Sequence, residues 1–343
     1  MRKISTVILL TLSIIGHANN LPNIKPAPLH RGDEVGLISS GFRASNIDIT
    51  YAKQRLHALG LKVVLGDNIH KRAGYFAGTD LERAHDINTM FANPRIKAIF
   101  EIRGGWGSQR VLPLIDFDNI KKHPKIFVGF SDITSLLLAI HAKTGLITFH
   151  GPMGIEPWPA FTVDNLKQVL FEGKALTFKN PKPKIDKQVD NIKTDSYETH
   201  VVRSGTATGK LLGGNLTVLT ALLSTQYQPD WKESILFVED VGVSYYQIDR
   251  MLAQLQSAGV LKQIKGFVFG ECTGCHKANA DGYDLQQVLD EYIKPLHIPA
   301  YSGATFGHEP MNFTLPEGTK VKLNAGERTI KMLAPAVLSP ASS

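Results

Sequence analysis

Short apolar runs alternate along the first half of the chain with longer segments in which apolar residues recur every three or four positions. The apolar runs, which predict β-strands, cover residues 35–39, 61–65, 98–102, 126–129 and 146–149. Helical spacing covers residues 49–59, the segment from the capping box at Thr79 and Glu82 to residues 93–94, and residues 133–141. Strands that alternate with helices predict a parallel sheet with helices on both faces. Ligands of such sheets bind at the carboxyl ends of the strands.

Residues 173–200 break this pattern, because lysine and proline become frequent and the apolar periodicity fades. We interpret this segment as an interdomain connection. The elements predicted beyond it are a glycine-rich run at 209–214, a helix ending at Leu223, strands at 235–238 and 266–269, a helix at 247–258, and strand-like runs at 321–323 and 330–333. The sequence therefore predicts an α/β protein with an N-terminal domain at residues 19–172 and a C-terminal domain at residues 201–343.

The N-terminus has the pattern of a secretory signal. Arg2 and Lys3 form a charged start, and residues 4–15 are apolar except for serine and threonine. This pattern predicts that residues 1–18 are a signal peptide, cleaved after Ala18. The apolar run is shorter than the ~20 residues that a membrane-spanning helix needs. We therefore expect export, to the periplasm or beyond it, without stable membrane insertion.

The composition adds little to this picture. The chain has 343 residues, of which 43% are hydrophobic and 20% charged, as in an ordinary globular protein. The net charge is +7, or about +5 (7 − 2) without the two positive residues of the signal peptide. Outside residues 174–193 the positive residues are dispersed, and nothing resembles a nucleic-acid-binding module. A solvated basic face is expected rather than a nucleic-acid partner.

Ser131 is the candidate nucleophile. It lies in a Gly-x-Ser turn between the predicted strand at 126–129 and the predicted helix at 133–141. Such a turn exposes a serine at the top of a parallel sheet. The usual Gly-x-Ser-x-Gly motif has glycine where this chain has Ile133, and a serine before a helix is also a common N-cap. The local pattern alone leaves both roles open.

An acid and a base could come from two later segments. The apolar strand at 235–238 ends in Glu239 and Asp240, either of which could orient a histidine, cap a helix or form an ion pair. His308 follows a glycine and precedes a turn-rich run, while His150 also follows an apolar run. Spacing alone does not choose between the two histidines. Three segments could thus supply a nucleophile, an acid and a base, as in a serine-hydrolase triad.

The run RGGWG at residues 103–107 follows a predicted strand and precedes a predicted helix. Its glycines allow backbone N–H groups to approach developing negative charge, as in an oxyanion hole. A tight turn or a phosphate-binding loop is the alternative. The lysine of a nucleotide-binding P-loop is absent, and the spacing does not fit a dinucleotide fingerprint. No cofactor is therefore expected.

Cys272 and Cys275 are the chain's two cysteines, spaced C-x-x-C. A zinc site would need two more ligands, and His276 is the one neighbour that qualifies. A thioredoxin-type motif belongs at the start of a helix early in a βαβ unit, whereas this pair follows a late strand. Two loop thiols, or a local disulfide in an oxidising compartment, fit the sequence better, and no metal site is predicted.

Taken together, the motifs resemble those of the murein LD-carboxypeptidases, a serine peptidase family that also includes the microcin-C immunity peptidases. The likeness extends from about Gly32 to Gly318 with the motifs in the same order. The motifs that carry it are Thr79-Asp80 with Arg83, the runs 98–100, 103–107, 129–134, 150–153 and 209–216, the pair Glu239-Asp240, Gly307-His308 with Asn312, and the run 315–318.

The resemblance implies a triad with Ser131 as nucleophile, Glu239 as orienting acid and His308 as base. It favours His308 over His150, which spacing could not do. It also implies an oxyanion hole at the backbone amides of Gly105 and Asp132. A metal-independent acyl-enzyme mechanism follows from these roles.

The same resemblance implies a Rossmann-like N-terminal domain, a smaller C-terminal domain of swivelling β/β/α type, an active site between them, and a homodimer. Gly104 and Trp106 are expected near the substrate, although the family usually has tyrosine at the position of Trp106. Arg103 and Arg203 are candidates to bind a terminal carboxylate, with structural ion pairs as the alternative for each.

Three functions are compatible with these expectations. The first is removal of the terminal D-Ala from murein tetrapeptides, at the bond to the L-centre of a diamino acid. The second is hydrolysis of a peptide–nucleotide antibiotic or another acyl amide. The third is a periplasmic protein that binds wall peptides without catalysis, for which the intact set of Ser131, Glu239 and His308 would have no use.

Overall fold

The computed structural model of the protein describes residues 21–181 and 198–339. The predicted signal peptide and its cleavage site lie outside the described residues, as does most of the predicted connection at 173–200. Over the described ranges, no helix is both long and apolar enough to cross a membrane.

The first sheet has six strands. They are β1 (Glu34–Ile38), β2 (Lys62–Leu65), β3 (Ile96–Glu101), β4 (Ile126–Gly129), β5 (Thr148–His150) and β12 (Leu315–Glu317). Their order is β12-β5-β4-β3-β1-β2. The first five run parallel to one another, and β12 pairs antiparallel with β5. The carboxyl ends of β3 and β4, where the glycine run and Ser131 follow, are therefore neighbours.

Six helices accompany this sheet. They are α1 (Asn46–Ala58), α2 (Asp80–Ala92), α3 (Ser108–Val111), α4 (Phe117–Lys122), α5 (Thr134–Thr144) and α6 (Ala160–Leu170). The α2 helix begins with the predicted capping box of Thr79 and Glu82. Helices α1 and α6 pack in one apolar cluster, and α2 and α5 in another, so both faces of the sheet are covered.

The second sheet has eight strands. They are β6 (Thr177–Phe178), β7 (His200–Arg203), β8 (Thr206–Asn215), β9 (Ser234–Val241), β10 (Gly266–Thr273), β11 (Ala300–Ser302), β13 (Lys320–Asn324) and β14 (Thr329–Met332). Their order is β6-β14-β13-β8-β9-β10-β11-β7, with β8 to β11 parallel. Helices α7 (Leu216–Ala221), α8 (Tyr245–Ser257) and α9 (Leu285–Ile293) connect these strands.

Helix α5 links the two halves of the molecule. Almost all of its residues are buried, which agrees with a sequence that is apolar around most of its circumference. It contacts β4 and β5 of the first sheet and also β8 and α7 of the second half. The helix that begins next to Ser131 is thus held by both sheets.

The predicted α/β class, with a parallel sheet in the N-terminal half and a β-rich C-terminal half, is confirmed. The glycine-rich run at 209–214 differs from the expectation, because it forms part of the ten-residue strand β8. A Cβ at Gly213 would lie 1.7 Å from the carbonyl oxygen of Phe237 in β9. The glycines therefore allow two strands to approach closely. Because glycine has no side chain, this part of β8 lacks the apolar pattern by which a strand is predicted from sequence.

The helix predicted after residues 103–107 is α3, whereas several other elements were not predicted: α4, α6, α9, β7, β11 and β12. Strand β12 has three residues and includes Pro316, so it carries no alternating pattern. It pairs with β5 and completes the first sheet, although its residues belong to the predicted C-terminal region. The boundaries at 172 and 201 remain predictions.

Cys272 and Cys275 are joined in a disulfide, one of the two alternatives that the sequence favoured. The bridge closes a turn at the end of β10. Backbone hydrogen bonds of 2.9 Å attach this turn to the segment before α8, from Gly242 N to the Thr273 oxygen and from Tyr245 N to the His276 oxygen. The disulfide turn thus supports the loop that follows β9.

The close approach of β8 and β9 generates a stability prediction. Replacing Gly213 with alanine places a methyl group inside the contact distance of a backbone oxygen, which cannot rotate away. We expect Gly213→Ala to lower the free energy of unfolding by about 3 kcal/mol, measured by chemical denaturation. Gly326→Ala is the matched control, since its Cβ would have 3.6 Å of clearance, and it should change stability by less than about 0.5 kcal/mol. Equal stability of the two variants would contradict this account.

Candidate active site

Ser131 lies in a sharp turn between β4 and α5. Its φ is +59°, in the left-handed region that non-glycine residues rarely adopt. A Cβ at Gly129 would lie 2.7 Å from the Ile133 side chain, so the turn is too tight for a larger residue there. The turn has the strained geometry of a nucleophile elbow even though Ile133 replaces its last glycine.

The structure brings Ser131, His308 and Glu239 together. Nε2 of His308 lies 3.0 Å from the Ser131 Oγ, and Nδ1 lies 2.8 Å from the Glu239 Oε2. A carboxylate oxygen accepts hydrogen bonds, so Nδ1 donates to Glu239 and leaves Nε2 free to accept the serine proton. These contacts join the end of β4, the end of β9 and the loop after β11. The arrangement is that of a nucleophile, a base and an orienting acid.

The surroundings of His308 tune its protonation. Burial disfavours the charged imidazolium, but the Glu239 carboxylate offsets it through charge and a hydrogen bond, with smaller help from Glu156 and Asp240. The net effect raises the pKa of His308 above its ordinary value of 6.5. The imidazolium that forms when the histidine takes a proton is thereby stabilised.

The two rival residues have other surroundings. His150 is buried among the rings of Phe130 and Phe237, with centroids 5.5 and 5.4 Å away, and burial lowers its pKa to about 4. Its ring nitrogens have no hydrogen-bond partner within the described parts of the chain. Asp240 accepts hydrogen bonds from the backbone N and the hydroxyl of Thr217, at 3.0 and 2.8 Å. Neither residue takes the place of His308 or Glu239.

Of the two predicted oxyanion amides, that of Asp132 lies beside the nucleophile. Asp132 follows Ser131 in the turn, and Gly105 lies in the loop after β3 with a φ of +95°. A Cβ at Gly104 would lie 3.0 Å from Asp132 N and 3.2 Å from the Ser131 Oγ. Glycine at 104 thus keeps open the space that borders the amide and the hydroxyl. The oxyanion role of these amides stays a prediction.

Arg83 anchors the glycine loop, which is the segment 104–107 after β3. Its buried guanidinium donates to the carbonyl oxygens of Ser40 and Gly107, the latter at 2.8 Å, and pairs with Asp80. It also lies 4.7 Å from the centroid of the Phe76 ring. Arg83 was part of the motif that suggested the family, but its anchoring role depends on contacts that only the fold creates.

Two further polar residues behind the loop were missed from the sequence. Glu101 accepts hydrogen bonds from Ser40 N at 3.0 Å and from the Ser40 hydroxyl at 2.5 Å, and burial raises its pKa to about 8. Ser108 donates its backbone N–H to the Asp132 carboxylate at 2.8 Å. A carboxyl residue directly after the apolar run at 98–100 of β3 was the available signal for Glu101. Together these groups fix both ends of the glycine loop.

A cleft of ≈ 520 Å³ opens in front of Ser131, between the two sheets. Residues of the first half that line it include Ser131 and Trp106, whose side chain is 59% exposed. Asn215 and Asp240 line it from the second half, at the ends of β8 and β9. The cleft therefore joins the nucleophile to polar groups of both halves, as a substrate site requires.

The two arginines predicted as candidates to bind a terminal carboxylate lie in different parts of the structure. Arg103 adjoins the glycine loop, with its guanidinium carbon 5.0 Å from the centroid of the Phe42 ring. Arg203 is exposed on the edge strand β7 and pairs with Ala300, at the amino end of β11. Since Ser131 and Glu239 lie at the carboxyl ends of their strands, Arg203 is not brought together with them.

The environment of His308 predicts its titration. We expect the pKa of its imidazole to lie above 6.5 in the folded protein, and to fall in Glu239→Gln, where burial is opposed only by the smaller effects of Glu156 and Asp240. Histidine ring resonances in NMR measure both values. His150, with a pKa of about 4, is the internal control and should stay neutral from pH 5.5 upward. An unchanged His308 pKa in Glu239→Gln would refute the assigned pair.

Comparison with known proteins agrees with this geometry. The LD-carboxypeptidase N-terminal domain matches residues 35–151, and the LD-carboxypeptidase C-terminal domain matches residues 208–323. The chain is 37% identical to a probable murein peptide carboxypeptidase of Bacillus subtilis, over 90% of this chain and 93% of the relative. It is 30% identical to a murein tetrapeptide carboxypeptidase of Pseudomonas aeruginosa, over 83% and 91%.

Among solved structures, MccF in complex with glutamyl sulfamoyl guanosine superposes with a TM-score of 0.82 at 28% sequence identity, covering 92% of this chain and 99% of that one. Because matches to both domains follow one another in order along the chain, the protein belongs to the LD-carboxypeptidase family and is a serine-type carboxypeptidase.

Proposed function

We propose that the protein removes the terminal D-alanine from murein tetrapeptides by hydrolysing the bond to the L-centre of a diamino acid. The observation that carries the proposal is the position of the Ser131 Oγ, 3.0 Å from the His308 Nε2 and beside the opening that Gly104 preserves. The names of the relatives from B. subtilis and P. aeruginosa support the choice of a murein peptide as substrate.

In the proposed first step, the Ser131 Oγ attacks the carbonyl carbon of the last peptide bond. His308 takes the serine proton at Nε2, and Glu239 holds Nδ1–H and stabilises the imidazolium. The backbone N–H groups of Gly105 and Asp132 donate to the negatively charged carbonyl oxygen of the tetrahedral intermediate. When the C–N bond breaks, His308 returns its proton to the amine of the departing alanine.

In the second step, water enters the place of the alanine. His308 takes a proton from the water as its oxygen attacks the acyl carbon of the ester on Ser131. The ester C–O bond then breaks, the proton passes back to the Ser131 oxygen, and the shortened peptide leaves. The strained turn at Ser131 holds the Oγ in the same position for both steps.

The terminal carboxylate of the substrate needs a positive or N–H-rich partner. Arg103 remains the candidate, because it lies next to the glycine loop and its Nε has no hydrogen-bond partner among the described residues. Trp106 on the same loop offers an exposed ring to an aliphatic part of the peptide. The proposal therefore places the alanine near the loop at residues 103–107.

A second candidate substrate is a peptide–nucleotide conjugate. Trp106 favours it, since a half-exposed indole in the cleft could stack on a nucleobase. The similar MccF structure carries glutamyl sulfamoyl guanosine, which supports the same possibility. Comparing kcat/KM for a murein tetrapeptide and an aminoacyl sulfamoyl nucleoside separates the two: preference for the nucleoside would replace the first proposal.

We also propose that the enzyme is exported, acts in the periplasm and forms a homodimer. The signal-like N-terminus supports export, and the Cys272–Cys275 disulfide is typical of an oxidising compartment. N-terminal sequencing of the mature protein should begin at Asn19, and an intact Met1 would contradict export.

Light scattering of the mature protein should give twice the mass of one chain, and a monomer would contradict the dimer.

The central test uses the nucleophile. Wild-type protein incubated with a diaminopimelate-containing tetrapeptide should release one alanine, detected by mass spectrometry. Ser131→Ala should lower the rate by about 10⁴-fold or more, because the acyl-enzyme cannot form. Ser257→Ala, at the exposed end of α8, is the matched control and should retain full activity. Alanine release by folded Ser131→Ala at the wild-type rate would refute the proposal.

A further inference from the structure

A second cavity lies beside the active site, at the carboxyl ends of β10 and β11. Its volume is ≈ 530 Å³, and it is lined in part by the disulfide turn after β10. Glu309, which directly follows His308, forms part of its wall. The mechanism proposed above does not use this cavity.

Glu271 is the unusual residue of this cavity. The residue lines the cavity and is 5% exposed, and its carboxylate oxygens have no side-chain hydrogen-bond partner within the described ranges; the nearby donor is the backbone N–H of Glu309. A Cβ at Gly307 would lie 3.5 Å from the Glu271 Cβ and 3.4 Å from the Glu239 Oε2, so Glu271 lies just behind the Glu239–His308 pair. An unpaired buried carboxyl group is costly unless something binds it.

Two more buried acceptors line the same cavity. The Thr273 Oγ1 and the Gln286 Oε1 also have no hydrogen-bond partner in the described parts of the chain. The orientation of the Gln286 amide is fixed, because its Nε2 donates to Asp290 Oδ1 at 2.8 Å. Its oxygen is therefore the end left for a ligand. The cavity thus presents acceptor oxygens that need N–H or O–H donors.

The charge of the cavity wall is negative. Besides Glu271, the residues Glu309, Asp284 and Glu198 line it; His200 is the basic residue among the lining residues described, which include no lysine or arginine. Burial, followed by the negative charges of Glu309 and Glu239, raises the pKa of Glu271 to about 9. The high pKa therefore leaves the Glu271 carboxyl group protonated at neutral pH.

We propose that this cavity binds a primary ammonium group on an aliphatic chain, with Glu271 and Glu309 as its anionic partners. An ammonium group carries the three N–H donors and the positive charge that these acceptors lack. Leu285 and the Cys272 side of the disulfide give the chain an apolar wall. The ammonium comes from a free diamine or from the diamino acid of the peptide; the second source rests on the proposed function.

The first experiment measures binding of cadaverine, a five-carbon diamine, to the mature protein by calorimetry, with 1-pentanol as the neutral probe. We expect cadaverine to bind, pentanol not to bind, and Glu271→Gln and Glu309→Gln each to weaken cadaverine at least tenfold, about the effect of one hydrogen bond to a charged group. Glu327→Gln, in the exposed turn between β13 and β14, is the matched control and should bind cadaverine as the wild type does.

Proton release on binding distinguishes direct contact between the ammonium group and Glu271 from a purely structural role of Glu271. Glu271 carries a proton at pH 7 in the empty protein, and a bound cation displaces it. Titrations in two buffers of different ionisation enthalpy should therefore reveal proton release in the wild type and none in Glu271→Gln.

The second experiment separates the two sources of the ammonium group. Tetrapeptides with lysine or Nε-acetyl-lysine as the third residue are compared by KM. A preference for lysine that disappears in Glu271→Gln identifies the substrate as the source, whereas equal KM values together with Glu271-dependent cadaverine binding identify a free amine. Absence of both effects overturns the inference. Failure to cleave either peptide counts against the proposed function and leaves the cadaverine result to decide this site.

Discussion

The pair of hydrogen bonds from Glu239 through His308 to Ser131 ties the two halves of the molecule into one functional unit. The serine follows a strand of the first sheet, and the glutamate lies near the carboxyl end of a strand of the second. Hydrogen bonds of 3.0 and 2.8 Å fail if the sheets move apart by 1 Å. The relative position of the sheets is therefore the constraint that the rest of the structure has to satisfy.

Two features meet that constraint. Helix α5 begins at the nucleophile turn and packs against both halves, so the serine moves with both of them. Strand β12 comes from the later part of the chain but pairs with β5, while Gly318 N bonds the Leu211 oxygen of β8 at 2.8 Å. Behind the serine, Arg83 bonds the Gly107 oxygen at 2.8 Å, and Ser108 N bonds the Asp132 carboxylate at 2.8 Å, which attaches the end of the glycine loop to the nucleophile turn. Rigid support of this kind is what the proposed oxyanion hole would require.

Much of the fold and of the candidate site could be predicted from the sequence, because buried parallel strands are continuous apolar runs and functional groups lie at their carboxyl ends. The strand at 126–129 and the positions of Ser131 and Glu239 follow directly from that rule. The choice between His150 and His308 does not, since both follow apolar runs. It depends on the aromatic rings that enclose His150, which come from three separate segments. Arg83 and Glu101 likewise acquire their roles from contacts that exist only after folding.

The pairing of β12 with β5 also dictates when the enzyme can become active. A growing polypeptide is delivered amino end first, and its domains tend to fold in that order. The first sheet lacks its edge strand, and the serine lacks its base 177 positions away, until almost the entire chain has emerged. A chain that ends before residue 308 therefore lacks the proton acceptor. The active site is therefore among the last parts of the molecule that the chain can complete.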